Sequence, residues 1–178
     1  MPARSYTEDL DETYGTKPRS QESDADRLIK AAHEHDWVTR RVAVGSTVQS
    51  HEDVRSLIAV GITHVLDCQE SGLHEFLYRG TGIQWKHCGT VDDGNRKEAD
   101  WFHEGMRFGV DALAKKRTRL LVHCFAGVNR GPSMAYAVLR AIGMSASQAE
   151  SAIRKNRPIA ALRYMADAER AVASWRPV

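Results

Sequence analysis

Residues 120–133 read Leu120-Leu121-Val122-His123-Cys124-Phe125-Ala126-Gly127-Val128-Asn129-Arg130-Gly131-Pro132-Ser133. Arg119 to His123 is a short apolar run of the buried-strand type. It ends at a cysteine, five residues intervene, an arginine follows, and Pro132 sits where a helix would begin. A short loop between a strand and a helix N-terminus turns successive backbone N–H groups inward and makes an anion nest. The positive end of the helix macrodipole faces the same point. A thiol held at such a helix start falls from about 8.5 into the ~3.5–7.5 range, where it is ionised at neutral pH. Arg130 adds a planar two-toothed donor suited to phosphoryl oxygens, and Gly127 allows a turn that a side chain would obstruct. The stretch therefore predicts a strand–loop–helix unit carrying a nucleophilic thiol in an anion-binding loop.

Outward from it, strand and helix patterns alternate. Trp37 to Val44 has strand composition and stops at Gly45-Ser46. Ser50-His51-Glu52-Asp53 is a capping-box signature, with Val54, Leu57 and Ile58 at helical spacing and Gly61 as the stop. Ile62–Asp67 and Ile83–His87 read as strands. Residues 98–115 read as a helix with Trp101, Phe102, Met106, Phe108, Val110 and Leu113 on its apolar face. Helices over roughly 132–141, 146–156 and 160–174 close the chain, broken at Gly143 and Pro158. The alternation predicts one α/β domain, a central mainly parallel sheet flanked by helices.

The chain has 178 residues, 42% of them hydrophobic and 27% charged, enough for one sizeable core. Residues 1–26 hold seven acids against three bases and one large aliphatic residue, Leu10. They are expected to form a flexible acidic leader, with the folded domain over 27–178. The leader's net charge of −4 leaves +6 for the rest, within an overall +2. A mildly basic body suits an anionic substrate and falls short of a nucleic-acid-binding stripe. No secretory signal and no run near the ~18 apolar residues of a membrane span is present. Three scattered cysteines, Cys68, Cys88 and Cys124, suggest neither a disulfide framework nor a zinc site. A reduced cytoplasmic compartment and a monomer without membrane contact are expected. His33, His35, His87 and His103 lack metal-ligand spacing, so neither metal nor cofactor is implied. Trp85 and Trp101 read as core.

His123-Cys124-x5-Arg130 matches the HCxxGxxR signature of the cysteine-dependent protein-tyrosine and dual-specificity phosphatases, and the chain resembles the compact dual-specificity branch over residues 37–174. Val42 to Ser46, Gly61 to Asp67 and Ile153 to Pro158 support the likeness. Asp92-Asp93-Gly94 is similar to the acid loop of the phosphatase-of-regenerating-liver type. The resemblance implies a dual-specificity phosphatase-like α/β fold and a two-step displacement. Cys124 would attack phosphorus and form a cysteinyl-phosphate. Phe125, Ala126, Gly127, Val128, Asn129 and Arg130 would cradle the phosphoryl oxygens. An aspartic acid would protonate the leaving oxygen and then activate water. Asp92 and Asp93 precede Cys124 by 32 and 31 residues. Asp93 is preferred by analogy with the similar loop, and Asp92 is the alternative. Both could also simply open a surface turn with Gly94.

The implied substrate is a phosphorylated protein, on tyrosine or on serine and threonine, or another phosphate monoester. Two positions depart from the family pattern. The family carries Ser or Thr after the arginine, where this chain has Gly131, with Ser133 two residues on. Slow phosphoenzyme turnover is therefore expected, and a phosphate-binding module with vestigial activity is the other reading. Asn129 is similar to the residue used by metal-independent RNA 5′-triphosphatases, so RNA enters as a partner only through that substrate. The neutral loop residues rank a phosphoinositide lower, since a lysine-bearing loop would be expected there. His123 is expected to support the loop backbone. Cys68 resembles a resolving cysteine of related branches, a redox partner for Cys124, and could equally be a small buried hydrophobe.

Overall fold

The computed structural model describes residues 33–176, so the acidic leader expected over 1–26 lies outside the described residues. Five strands form one sheet in the order β1-β2-β5-β3-β4: β1 His35–Trp37, β2 Val42–Gly45, β3 His64–Asp67, β4 Gln84–His87 and β5 Leu120–His123. Only β1 runs antiparallel; the β2–β5, β5–β3 and β3–β4 pairs are parallel. This is a single α/β domain with a mostly parallel sheet.

The helices are α1 His51–Ala59, α2 Ala99–Leu113, α3 Arg130–Ala141, α4 Ala146–Asn156 and α5 Met165–Ser174, with a short 3-10 turn over Glu75–Tyr78. The α1 capping box forms as expected: Ser50 Oγ accepts from Asp53 N at 3.1 Å and Ser50 N donates to Asp53 Oδ2 at 3.0 Å. A second box, Ser145 with Gln148, starts α4.

Residue parity along the strands divides the core into two layers. Ala43, Val65 and Leu121 pack with Val54 and Leu57 of α1. Val42, Val44, Leu66, Leu120 and Val122 pack with α2, α3, α4 and α5. Because both faces are covered, β2, β3 and β5 are buried at every residue. On α2 the buried stripe runs through Phe102, Gly105, Met106, Gly109, Ala112 and Leu113. The two glycines let α3 approach closely: a Cβ at Gly105 would overlap Met134 and one at Gly109 would overlap Val138.

Two elements differ from the sequence expectation. The run Trp37–Val44 is a hairpin rather than one strand. Thr39 Oγ1 accepts from Arg41 N at 3.2 Å and Val42 N at 3.0 Å, so a threonine turn replaces the strand ladder. The last helix starts at Met165, not at 160, because Leu162 has φ 52° and interrupts any helix there.

All parallel strands point their C-terminal ends the same way. Cys124 follows β5, Cys68 follows β3 and Cys88 follows β4, along the edge where open α/β sheets bind ligands.

Candidate active site

The loop from Cys124 to Asn129 joins β5 to α3 and lies over that edge. Its carbonyls are turned away from the centre. Phe125 O accepts from Thr47 N at 3.0 Å and Val128 O from Ala161 N at 2.9 Å. Gly127 O and Ala126 O accept from Arg157, at 2.7 Å from Nε and 3.2 Å from Nη2. Among the described residues, no protein acceptor takes the N–H groups of residues 125–129. Peptide planes whose oxygens face outward aim their N–H groups inward, which is how an anion nest is made. Gly127 carries φ 64°, and a Cβ there would run into Arg157 and the Gly45 carbonyl. Glycine is required on both counts.

Cys124 lies at the floor of this loop and is 1% exposed. Arg130 opens α3; its Nη1 donates to Thr90 O at 2.8 Å, tying the Cys124–Asn129 loop to the segment that carries the two aspartates. Phe125 and Val91 are exposed apolar side chains of those two loops.

The aspartates diverge. Asp92 turns toward the loop: its Oδ2 lies 3.3 Å from Asn129 Nδ2 and 3.6 Å from Arg130 Nε. Tyr164 OH donates to Asp92 Oδ1 at 2.6 Å and accepts from Gly94 N at 3.1 Å, pinning the acid loop from behind. Asp93 turns away. It accepts from Lys97 Nζ at 2.5 Å and from Asn95 Nδ2 at 2.8 Å. The Lys97 ammonium, with Asn95, holds the Asp93 carboxyl well below the usual carboxylate range.

Ser133 is fully buried and its hydroxyl accepts from Tyr164 N at 3.2 Å, so it braces the turn that carries Tyr164. Gly131 sits against the end of β5. A Cβ there would be 3.1 Å from the His123 carbonyl carbon and 3.2 Å from Cys124 N, closer than side chains normally pack. The His123 ring is buried with no hydrogen-bond partner on either nitrogen, and its nearest opposite charge is Asp67 Oδ1 at 3.8 Å. Burial lowers its pKa and outweighs the pull of Asp67. Cys68 N donates to His123 O at 2.8 Å, which sets Cys68 abreast of Cys124. No group of three or more potential ligands could hold a metal among the described residues.

His33, beside His35 and 3% exposed, is pushed down to about 4 by burial first, then by His35 and His123. It stays neutral in the fold while the unfolded chain takes up a proton near 6.5. Stability is therefore full above that value and is lost as pH falls toward the folded one. Thermal melts between pH 7 and pH 4 are expected to show a falling Tm, with a shallower slope in His33→Gln. Parallel slopes would contradict this.

The sequence reading gave no role to Arg157. Its side chain is fully buried, and Nη1 donates to Glu34 Oε1 at 2.7 Å and Asp36 Oδ2 at 2.8 Å. One guanidinium thus joins β1, the end of α4 and the back of the Cys124–Asn129 loop. The carboxylates raise its pKa against the opposing cost of burial. Arg157→Met leaves the Gly127 and Ala126 carbonyls without their donor while Glu34 and Asp36 turn to water, so a loss of about 2 kcal/mol is expected in denaturant unfolding, with a sharper fall in phosphate affinity than in helix content. The only signal in the chain was Arg157-Pro158 at a helix end, and its carboxylate partners lie more than 120 positions away.

Residues 44–166 match the family described as dual specificity phosphatase, catalytic domain. A mouse putative dual specificity phosphatase complexed with zinc tungstate superposes with TM-score 0.66 at 17% identity, covering 91% of this chain and 94% of that one. Human DUSP28 gives 0.64 at 17% identity, over 79% of this chain and 93% of its own. PTPMT1, solved in complex with PI(5)P, gives 0.65 at 19% identity, over 76% and 92%. At these identities the superpositions speak for the fold, and the family match speaks for kinship. No described helix is long and apolar enough to cross a membrane. With its sheet order, its catalytic-edge loop and that match over most of its length, the chain belongs to the dual specificity phosphatase catalytic-domain family.

Proposed function

We propose that the protein hydrolyses phosphate monoesters on proteins, on tyrosine or on serine and threonine, through a cysteinyl-phosphate on Cys124. The observation that carries this reading is the outward-facing carbonyls of Phe125 to Val128, which turn the N–H groups of those peptide planes inward in a loop that starts at the buried Cys124 and ends at Arg130, with Asp92 against Arg130. The Cys124 thiolate attacks phosphorus in line while the loop N–H groups and Arg130 hold the equatorial oxygens. Asp92 gives its proton to the departing oxygen. In the second step the Asp92 carboxylate takes a proton from the water that attacks phosphorus, and the thiolate leaves. Asp92 is preferred over Asp93 because it faces Asn129 and Arg130, whereas Asp93 is spent on Lys97 and Asn95. Asn129 also finds a use in this scheme as the amide that faces Asp92, so its presence needs no polyphosphate substrate. Phe125, Ala126 and Val128 give the loop no cation for a phosphoinositide ring. Three free thiols fit a reducing compartment such as the cytoplasm.

Gly131 brings no hydroxyl to the departing thiolate of the second step, and the Ser133 hydroxyl two residues on is placed by the Tyr164 N–H that it accepts. Phosphoenzyme should therefore accumulate. The test is acid quench during the first turnovers of p-nitrophenyl phosphate without added metal, followed by peptide mapping. Phosphate on Cys124, with a burst of p-nitrophenol, is expected. Gly131→Ser should shrink the burst and cost roughly 1 kcal/mol of stability through crowding. Turnover that leaves Cys124 unlabelled at every quench time would sink the mechanism. Phosphopeptide binding without phosphate release would favour a binding module.

A further inference from the structure

Every cysteine of the chain lies in one row along the catalytic edge. Asp67 is the register partner of both His123 and His87. The ladder continues one step further on each side, with Cys68 N donating to His123 O and Cys88 N to Asp67 O, both at 2.8 Å. The next residues along the three strands are thus Cys124, Cys68 and Cys88, with Cys68 in the middle. All three belong to the layer under α2 and α3, so their side chains leave the sheet on one face. Neighbouring strands stand about 4.8 Å apart, inside the ~4.4–6.8 Å Cα range of a disulfide. Cys124 and Cys88 are two strands apart, about 10 Å, beyond that range.

We propose that the row is a disulfide relay in which oxidation entering at Cys124 is passed through Cys68 and ends as a Cys68–Cys88 disulfide, leaving Cys124 reduced. The proposal rests on Cys124 being the nucleophilic thiolate of the function above, and its new element is Cys88. A hydroperoxide oxidises the Cys124 thiolate by two electrons to the sulfenic acid and is itself reduced to water or alcohol. The Cys68 thiol then attacks Cys124 Sγ; a Cys68–Cys124 bond forms and the sulfenic oxygen departs as water. Cys88 next attacks Cys68 Sγ, a Cys68–Cys88 bond forms, and Cys124 leaves as a thiolate. No further oxidant is consumed, since the last step only exchanges partners.

The direction of that exchange follows from the surroundings. Burial, then the neighbouring thiols, pushes Cys68 up, and burial with Glu104 pushes Cys88 up to about 12. Cys124 alone sits in a nest of N–H groups beside a guanidinium, where a leaving thiolate is stabilised. Cys88 Sγ donates to Trp101 O at 3.4 Å, and Glu104, paired with Lys86 at 2.5 Å, is the nearby carboxylate that raises its pKa. Both attacking thiols are scarce as thiolates, so each exchange is slow enough to be followed by mapping over time.

The experiment is one equivalent of hydrogen peroxide added to the whole chain, then catalase, with non-reducing peptide mapping and activity followed over hours without added thiol. Wild type should pass from a Cys68–Cys124 to a Cys68–Cys88 disulfide while activity returns several-fold. Cys88→Ala should stop at Cys68–Cys124 and stay inactive until dithiothreitol is added. Cys68→Ala should give no disulfide, with Cys124 held as the sulfenic acid that a dimedone trap labels and as the sulfinic acid only after a second equivalent of peroxide. A stable Cys68–Cys124 bridge with Cys88 free in wild type, or sulfinylated Cys124 alone, overturns the relay. Mapping does not depend on turnover, so an untreated protein without phosphatase activity would count against the function and leave the disulfide result to judge the relay.

Discussion

Cys124→Ser should lower kcat by at least about 10⁴-fold on any phosphate monoester, since removal of a covalent nucleophile costs that much or more in comparable enzymes. The sulfur differs from the hydroxyl in being ionisable within a nest of N–H groups. A serine at the same place keeps its proton, for no base stands beside it. The His123 ring makes no hydrogen bond to the Cys124 side chain, and its nearest charge is Asp67. The substitution keeps the shape of the site, so the loop and Arg130 should still bind phosphate. Equilibrium binding of a phosphotyrosine peptide to Cys124→Ser is expected to stay within roughly 10-fold of wild type, the size of one modest polar contact. Lost turnover with retained binding separates a nucleophile from a structural cysteine. Activity that survives the change would remove the thiol from the mechanism, and a melted protein would show in the binding arm.

The strand–loop–helix geometry was legible because it is written locally. Strand, cysteine, glycine and arginine each act on residues within a few positions, so spacing alone constrains them. The same holds for the Ser50–Asp53 capping box. Local reading failed where a side chain bonds far along the chain or a short polar residue redirects the backbone. Thr39 looks at home in a β-branched run, yet its hydroxyl captures two N–H groups and folds the run into a hairpin. That hairpin is what brings Glu34 and Asp36 onto Arg157, a contact no periodicity announces. Gly105 and Gly109 were absent from the expected apolar face of α2 because glycine scores as nothing in a hydrophobic pattern, although it decides how near α3 can come.

Neighbouring aspartates pose the same difficulty at its sharpest, and their separation is the second large effect. Asp93 sits in a bend where its carboxylate accepts from Asn95 N and Lys97 Nζ, while Asp92 turns toward Asn129 and Arg130, so only one of the two faces the loop. Tyr164, seventy-two positions on, decides which: its hydroxyl holds Asp92 Oδ1 and the Gly94 N–H together. Asp92→Asn should lower kcat on phosphotyrosine by roughly 10²–10⁴-fold, the usual worth of a positioned general acid. The loss should shrink with an activated leaving group such as p-nitrophenol, which departs without full protonation. A donor must carry its proton, so the alkaline fall of the wild-type kcat profile should disappear in Asp92→Asn. Asp93 has its proton withdrawn by Lys97 and Asn95 and stays ionised far into acid. Asp93→Asn should therefore keep the alkaline limb and change kcat less than about 10-fold, below the ~10²–10⁴ of an acid. Its effect should fall on stability above the ordinary carboxylate range, where the Lys97 pair exists, and vanish as acid protonates it. Should Asp93→Asn instead erase the alkaline limb while Asp92→Asn preserves it, the loop must turn over when substrate binds, and Tyr164 would then be holding the wrong residue.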